Sequence, residues 1–307
     1  MPADPGLFGP DSISWRVHGD PSVALAGFRA LLLQALHPLA IAGVEQHSGF
    51  REDPWGRLVR TAEFIGVATY GTVEQAERAA ARVRGIHRRV RGVDVDTGRE
   101  YRADDPDLLR WVHCSEIDSL LNVYRRSGGR ISDAEADAYV AEQTRAAALV
   151  GLDPTSVPAS VAELTTYLDQ IRPELRVTPA ARRTATFLLF PPMPSRLVGI
   201  AGRPAWAGLA SVGFALLPRW ARRMYSLPGL PTTDIGASIA ARAVRTSLLA
   251  VPPSLREGPH VKAARARLAS PSTGSRPRPR SRAEPGRSLQ GASPPAGTRR
   301  SAPAPGH

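Results

Sequence analysis

One histidine on an otherwise basic helix is the most informative residue for chemistry. Steps of three and four residues align Ala76, Ala80, Val83, His87 and Val90 on one stripe of a predicted helix. The opposite face is charged and mostly arginine. A buried neutral imidazole needs partners for both ring nitrogens, which hydrogen bonds or a metal can supply. His87 is therefore either a hydrogen-bonded core histidine or a metal ligand.

The absence of several known sequence motifs reduces the number of enzyme classes and metal sites to be considered. The sequence has no G-x-S-x-G, no G-x-x-x-x-G-K-[ST], no G-x-G-x-x-G and no H-E-x-x-H. A single cysteine, Cys114, excludes a disulfide framework, a cysteine-based zinc site, a cysteine-ligated iron–sulfur cluster and a covalent c-type haem. If His87 binds a metal, haem iron suits a lone histidine best, because the porphyrin supplies four nitrogens.

A second group lies in the segment WGRLVRTAEF. Arg57 and Thr61 are spaced as i and i+4 neighbours on one face of a predicted helix, with Arg60 beside them. An inward arginine must be paired, because an uncompensated buried charge costs several kcal/mol. A haem propionate is one such partner. The alternative is a nearby acidic residue, namely Glu45, Glu52 or Asp53.

Three other histidines have mainly structural interpretations. His113 and Glu116, at i and i+3 on a predicted helix, favour a structural hydrogen-bonded pair, with a role in the site as the alternative. His37 precedes Pro38, so we expect it to act as a cation or cap at a helix end. His47 lies in a polar segment that could line a cavity or form an ordinary loop.

The apolar periodicity predicts an all-α fold in one large multi-helix domain. Residues 22–37 predict a buried helix ending near Pro38, and Arg57 to Tyr70 predicts a helix closed by Gly71. Further helices are predicted by capping signals and by one apolar run. They are expected at about 72–90, 105–126, from Ser132, from Ser160, from Thr178, at 204–218 and at about 233–249. Only residues 99–102 predict an extended segment.

The composition divides the chain into three predicted segments. Residues 1–20 are expected to form an irregular arm, residues 21–269 the helical domain, and residues 270–307 a disordered tail rich in Arg, Pro and Ser. The tail holds seven arginines and one glutamate, and so carries about half of the net charge of +12. An arginine excess of this kind is typical of a GC-rich genome and does not by itself indicate selection for a polyanion, so we expect no specific nucleic-acid partner.

The absence of a signal peptide or an 18-residue apolar run predicts a cytoplasmic protein. Peripheral membrane contact is the alternative, because the apolar segment 204–218 could form an interfacial helix.

Four segments together resemble one oxygenase family. They are LLLQALHPLAIAGVEQHSGFREDPWGRLVRTAEFIGVATYG, ARVRGIHRRVRG, YRADDPDLLRWVH and LRVTPAARR. The family contains the rubber oxygenases (latex clearing proteins) and the ER-bound oxygenase of mycophenolate biosynthesis, and the resemblance covers about residues 8–255. It implies a globin-like helical core that holds a non-covalent haem b.

The resemblance also implies roles for individual residues. His87 matches the proximal haem ligand, and Arg57 and Thr61 match an Arg–Thr pair at the haem site. Arg60 replaces the distal lysine ligand of rubber oxygenases, and a guanidinium has no lone pair for iron. The distal position is then left to water, to no ligand or to His47, and Glu45 is the candidate for the family's catalytic base. Arg60 and His113 are also expected to contact the cofactor, together with His87, Arg57 and Thr61.

The expected function is haem-dependent oxygenation or oxidative cleavage of an apolar, isoprenoid-like alkene or lipid by dioxygen. Two non-catalytic alternatives remain, a helical protein that holds haem or lipid and a basic helical adaptor that uses its arginine-rich tail.

Overall fold

Helices form nearly all of the regular secondary structure. A computed structural model describes residues 3–47, 53–192, 196–227 and 229–269, which fall within one compact unit spanning residues 2–271. The helices are α1 (Ile13–His18), α2 (Val23–Gln34), α3 (Pro38–His47), α4 (Pro54–Tyr70), α5 (Val73–His87), α6 (Pro106–Arg126), α7 (Asp133–Val150), α8 (Val161–Gln170), α9 (Pro179–Leu189), α10 (Arg196–Ala215), α11 (Arg219–Met224), α12 (Pro231–Leu249), α13 (Pro253–Arg256) and α14 (Pro259–Ala269). The all-α prediction is confirmed.

Side-chain caps fix several helix starts where the sequence predicted them. Thr72 and Ser132 each form a complete capping box, with Gln75 and Glu135 respectively. Asp105 accepts a hydrogen bond from the backbone N–H of Asp107, with proline at the first position of α6. The box predicted at Ser160 forms only in part, because the Glu163 carboxylate accepts from the backbone of Ala159 instead.

The extended segment is one arm of a β-hairpin. Strand β1 (Arg91–Val93) pairs antiparallel with β2 (Glu100–Arg102), and Gly92 lies opposite Tyr101. The buried Asp94 carboxylate holds the turn by accepting from the Thr97 hydroxyl at 2.5 Å. α5 therefore ends at His87, three residues before the predicted end at Val90, because the chain turns into β1.

The core is built on α2 and α6. Leu25, Leu32 and Leu33 of α2 and Trp111 of α6 are at most 1% exposed, as expected for a helix that is apolar on nearly all sides. Arg29 is the polar exception in α2. Its buried guanidinium lies 2.6 Å from the Asp118 carboxylate and also donates to Ser119 and to the carbonyl of Leu216.

Two antiparallel helices, α4 and α5, form a hairpin joined at Gly71 and Thr72. Ala68, Ala76 and Ala80 are buried together with Leu149 of α7. Small side chains at these positions let the two helices approach closely. Arg57 lies near the start of α4 and His87 at the end of α5, so both are far from the connecting turn.

Four expectations about the elements need correction. The segment expected to be an irregular arm contains α1, whose N-cap Ser12 accepts from the backbone N–H of Trp15 and whose Val17 is buried. Pro38–His47 is helix α3, where no helix was predicted, because Pro38 begins a new helix and does not simply end the preceding one. α10 starts at Arg196 and carries Pro204 inside it, where a start at residue 204 was predicted. α12 likewise starts at Pro231, two residues before the predicted start at Thr233.

The predicted disordered tail, residues 270–307, lies outside the described residues. Within the described ranges, no single helix has the length and hydropathy of a membrane span, whereas α2 and α3, which meet at 105°, pass that test together as a bent pair.

Candidate functional site

The α4–α5 hairpin brings Arg57 and His87 to the same end of the two helices. Arg57 precedes the end of α4 by 13 residues and His87 follows the start of α5 by 14 residues. At 1.5 Å per residue, both lie roughly 20 Å from the connecting turn. The two groups also interact electrostatically, since the Arg57 guanidinium contributes to lowering the pKa of His87.

His87 presents an imidazole without partners. The residue is half-buried, and its Nδ1 is shielded from solvent without a hydrogen-bond partner. Among the described residues, Nε2 has no hydrogen bond either. Burial lowers the pKa of His87, Asp104 raises it and Arg57 lowers it. The ring is therefore neutral at pH 7, and a neutral imidazole can offer a lone pair to a metal.

Arg57 is a half-buried cation without a counter-ion in the described part of the chain. No hydrogen bond or ion pair to its guanidinium is formed there, and burial followed by the nearby charge of Arg60 lowers its pKa. Two of the expected acidic partners bind other arginines, Glu45 with Arg183 and Asp53 with Arg60. The third, Glu52, lies outside the described residues. The site therefore offers a positive charge to an anion.

Arg60 and Thr61 are exposed. The Arg60 guanidinium lies 3.0 Å from the Asp53 carboxylate, and both side chains are more than half exposed. The Thr61 hydroxyl donates to the carbonyl of Arg57 at 3.1 Å, one helical turn back. The Arg57–Thr61 spacing thus produces a contact, but through the backbone of α4 and not between two side chains at a ligand.

Glu45 and His47 lie on α3, whose C-terminal end packs beside the β-hairpin. Two hydrogen bonds of 2.6 and 2.9 Å join the Glu45 carboxylate to the Arg183 guanidinium of α9. His47 is exposed and meets the ring of Tyr101 edge-on, with ring centroids 6.2 Å apart. Neither side chain hydrogen-bonds to Arg57 or His87. The expected base is thus held as a bidentate ion pair.

His113 and Glu116 lie on α6, but the hydrogen bond expected between them is not formed. His113 is buried, and its Nε2 has no partner. Burial lowers the pKa of His113 to about 4 and raises that of Glu116 to about 7. His113 therefore resembles His87 in presenting a neutral imidazole with a free buried nitrogen.

One of the two roles expected of His37, that of a cation, is wrong, and one buried network was not predicted. His37 is buried and its pKa is lowered to about 4, so it is neutral and not the expected helix-end cation. A buried network joins three helices: His18 Nδ1 lies 2.8 Å from the Thr69 hydroxyl and His18 Nε2 lies 3.1 Å from the Tyr139 hydroxyl. These partners are 51 and 121 residues away from His18, so no local spacing predicts them.

His87 and Arg57 lie apart from any larger cluster of potential metal ligands in the described residues. Among the described residues, no group of three or more His, Cys, Asp or Glu side chains could hold a metal ion. Cavities of about 510 and 320 Å³ lie elsewhere, the first among α9 to α12 and the second against α4, α5 and α14, and His87 lines neither. What the structure offers at the α4–α5 end is one free imidazole beside one unpaired guanidinium.

Comparison with protein families gives one match. The model of the family described as "ER-bound oxygenase mpaB/B'/Rubber oxygenase, catalytic domain" matches residues 15–247, which include α2 to α11, nearly all of α12, and both Arg57 and His87. No curated protein and no solved structure matches the chain significantly. The family match spans well over half of the chain. The chain therefore belongs to the family of mpaB and rubber-oxygenase catalytic domains, a family of oxygenases.

Proposed function

We propose that this oxygenase-family chain is a haem b-dependent oxygenase that acts with dioxygen on an apolar, isoprenoid-like alkene. The observation that carries the proposal is the neutral imidazole of His87, whose buried Nδ1 has no partner, beside the unpaired Arg57. Family membership supports oxygenase chemistry in general. The haem and the alkene come from the resemblance described above.

The residues present fit haem b in their chemistry. A porphyrin needs from the protein one axial ligand, which His87 can supply as a neutral imidazole. Haem b also carries two carboxylates, and the unpaired Arg57 guanidinium is a suitable partner for one of them. Haem supplies the iron chemistry that activates dioxygen, which no amino-acid side chain can do.

The chain's own residues then have distinct tasks. His87 would hold the iron, because its lowered pKa leaves the imidazole neutral and its lone pair available at neutral pH. Arg57 would balance the negative charge of a propionate. Arg60 is in an ion pair with Asp53 and has no lone pair to offer iron, so a second ligand, if there is one, would be water or His47. His113, with its free buried Nε2, is proposed to line the haem cavity.

An oxygen-uptake measurement tests the proposed activity. Haem-loaded protein is mixed with squalene, an isoprenoid alkene, and the consumption of dissolved oxygen is followed together with the carbonyl content of the products. We expect uptake that depends on both protein and alkene. Uptake without new carbonyl groups would support oxygenation without cleavage of the double bond. Absence of uptake by a protein that contains haem would overturn the enzymatic proposal.

One observation favours a non-catalytic carrier of haem or lipid as the second candidate. The expected base, Glu45, is engaged by Arg183 through two hydrogen bonds, and the Thr61 hydroxyl is used by the backbone. A carrier needs neither group. The same experiment separates the two functions, because a carrier would retain haem without consuming oxygen.

A further inference from the structure

A cavity of about 510 Å³ lies among α9, α10, α11 and α12. Its volume is within the range of roughly 300–1,000 Å³ that is usual for small-molecule sites. None of its described lining residues belongs to the proposed haem site. It is therefore a separate candidate site.

The inner wall of this cavity is mainly apolar, and the one charged residue described there, Arg222, is already engaged by other groups of the protein. Ala185, Phe214 and Tyr225 are each at most 8% exposed, and the Tyr225 hydroxyl is used by the carbonyl of Leu32. Arg222, 1% exposed, also lines the cavity, but its two terminal nitrogens donate to the Asp234 carboxylate and to the carbonyls of Ala215 and Leu217. Most of the surface at this end is therefore apolar, and an alkyl chain packed against it would be shielded from water.

The mouth of the cavity is polar and carries an unneutralised positive charge. Arg182, Thr186 and Ser211 line the cavity and are exposed. Within the described structure, the Arg182 guanidinium forms no hydrogen bond or ion pair, whereas its neighbour Arg183 is paired with Glu45. A free cation and two hydroxyls thus surround the entrance to an apolar interior, which is the complement of an amphiphile with an anionic head.

We infer that this cavity binds a long-chain carboxylate. The alkyl chain packs against Ala185, Phe214 and Tyr225, and the carboxylate binds Arg182 at the mouth. This inference goes beyond the proposed oxygenase function, because it concerns a site that contains neither His87 nor Arg57.

Calorimetric titration with dodecanoate tests the inference. We expect saturable binding at one site, and weaker binding of dodecanol, which lacks the negative charge. Arg182→Gln should weaken dodecanoate binding roughly fivefold, the effect of losing about 1 kcal/mol from an exposed ion pair. Arg130→Gln removes the same charge from an exposed position outside the cavity, and should leave the affinity unchanged.

A blocking variant locates the bound chain. Ser211→Trp places an indole at the exposed mouth and should abolish binding without disturbing the core. His87→Ala should still bind dodecanoate, which distinguishes failure at this cavity from failure of the haem proposal. Unaltered binding in both Arg182→Gln and Ser211→Trp would overturn the inference. So would the absence of binding to the unmodified protein, or equal affinity for dodecanol.

Discussion

Among the predicted site residues, Arg57 is a charged side chain that lacks a counter-ion in the described structure. Its guanidinium is half-buried, and it lacks an acidic partner in the described structure. A charge in that position is unfavourable for the protein alone and favourable once an anion binds. The sequence indicated that Arg57 needs a partner, but only the fold shows that Glu45 and Asp53 are engaged elsewhere.

Replacing Arg57 should therefore have opposite effects on the empty and the haem-loaded protein. Arg57→Met removes an uncompensated charge and should raise the stability of the haem-free protein by up to about 1 kcal/mol. The same variant should bind haem roughly tenfold more weakly, because a propionate loses its cation. Urea unfolding of the haem-free protein and haem titration measure the two effects.

Arg60→Met is the matched control for that experiment. Arg60 is exposed and its ion pair with Asp53 is solvent-accessible, so stability should change by less than about 1 kcal/mol. A clear loss of stability in haem-free Arg57→Met, with Arg60→Met unaffected, would contradict the absence of a counter-ion at Arg57.

The buried histidines make the fold sensitive to acid. His18, His37 and His113 have pKa values lowered to about 4 by burial, against 6.5 in the unfolded chain. Between these values the unfolded chain binds more protons, so the stabilisation is present above pH 6.5 and is lost as the pH falls towards 4. Glu116, whose pKa is raised to about 7, acts in the opposite direction.

Lowering the pH from 7 to 5 should reduce the free energy of unfolding by about 2 kcal/mol for each of these three histidines. Protonation of Glu116 in the folded protein should increase it by about 2 kcal/mol, which cancels the effect of one histidine. Urea unfolding at a series of pH values measures the slope. In His37→Gln, the slope of the unfolding free energy against pH should correspond to the uptake of one proton fewer on unfolding. A slope that is unchanged in this variant would show that His37 is not held neutral by the fold.

At the scale of elements, close packing between helices depends on glycine at a few positions. A Cβ atom added at Gly213 of α10 would lie 2.5 Å from the Cβ of Phe28 in α2, which is too close for either helix to remain in place. A Cβ atom at Gly208 of the same helix would meet no atom within 4 Å. The two positions therefore form a matched pair.

Alanine at these positions should change stability in opposite directions. Gly213→Ala should destabilise the protein by roughly 1–3 kcal/mol, because α2 and α10 must separate. Gly208→Ala should stabilise it by up to about 1 kcal/mol through helix propensity. Thermal unfolding measures both variants, and equal shifts would contradict the close approach of the two helices.

The sequence predicts elements well where a local signal exists. The starts of α5, α6 and α7 follow from the N-cap residues Thr72, Asp105 and Ser132. Each of these side chains accepts a hydrogen bond from a backbone N–H only two or three residues further along the chain. Prediction from the sequence fails at α3, because a proline that ends one helix can also begin the next. It also fails at Pro204, because α10 continues through a residue type that usually stops a helix.

The partners of the site residues were harder to predict because they are distant in sequence. Arg183 lies 138 residues from Glu45, and Tyr139 lies 121 residues from His18. The position of His87 was predictable in part, since its stripe and the hairpin spacing place it near Arg57. The unpartnered state of its Nδ1 depends on the packing of several elements and has no signature in the sequence.

At the scale of the whole molecule, a helical domain of an oxygenase family places one free imidazole and one free guanidinium at the end of a helical hairpin. The cavity of about 510 Å³, with a mainly apolar interior and a basic mouth, lies among four later helices. A cytoplasmic location, with peripheral membrane contact as the alternative, stays a prediction. Haem binding through His87 is the claim on which the proposed function depends.

The absorption spectrum of the purified protein after expression with added haem precursor tests that claim most directly. We predict a Soret band for the unmodified protein and for His260→Ala, in which a histidine of α14 outside the haem site is removed. His87→Ala should lose the band while it keeps its helical circular dichroism. A colourless unmodified protein, or a His87→Ala variant that retains its full haem content, would contradict ligation of haem by His87.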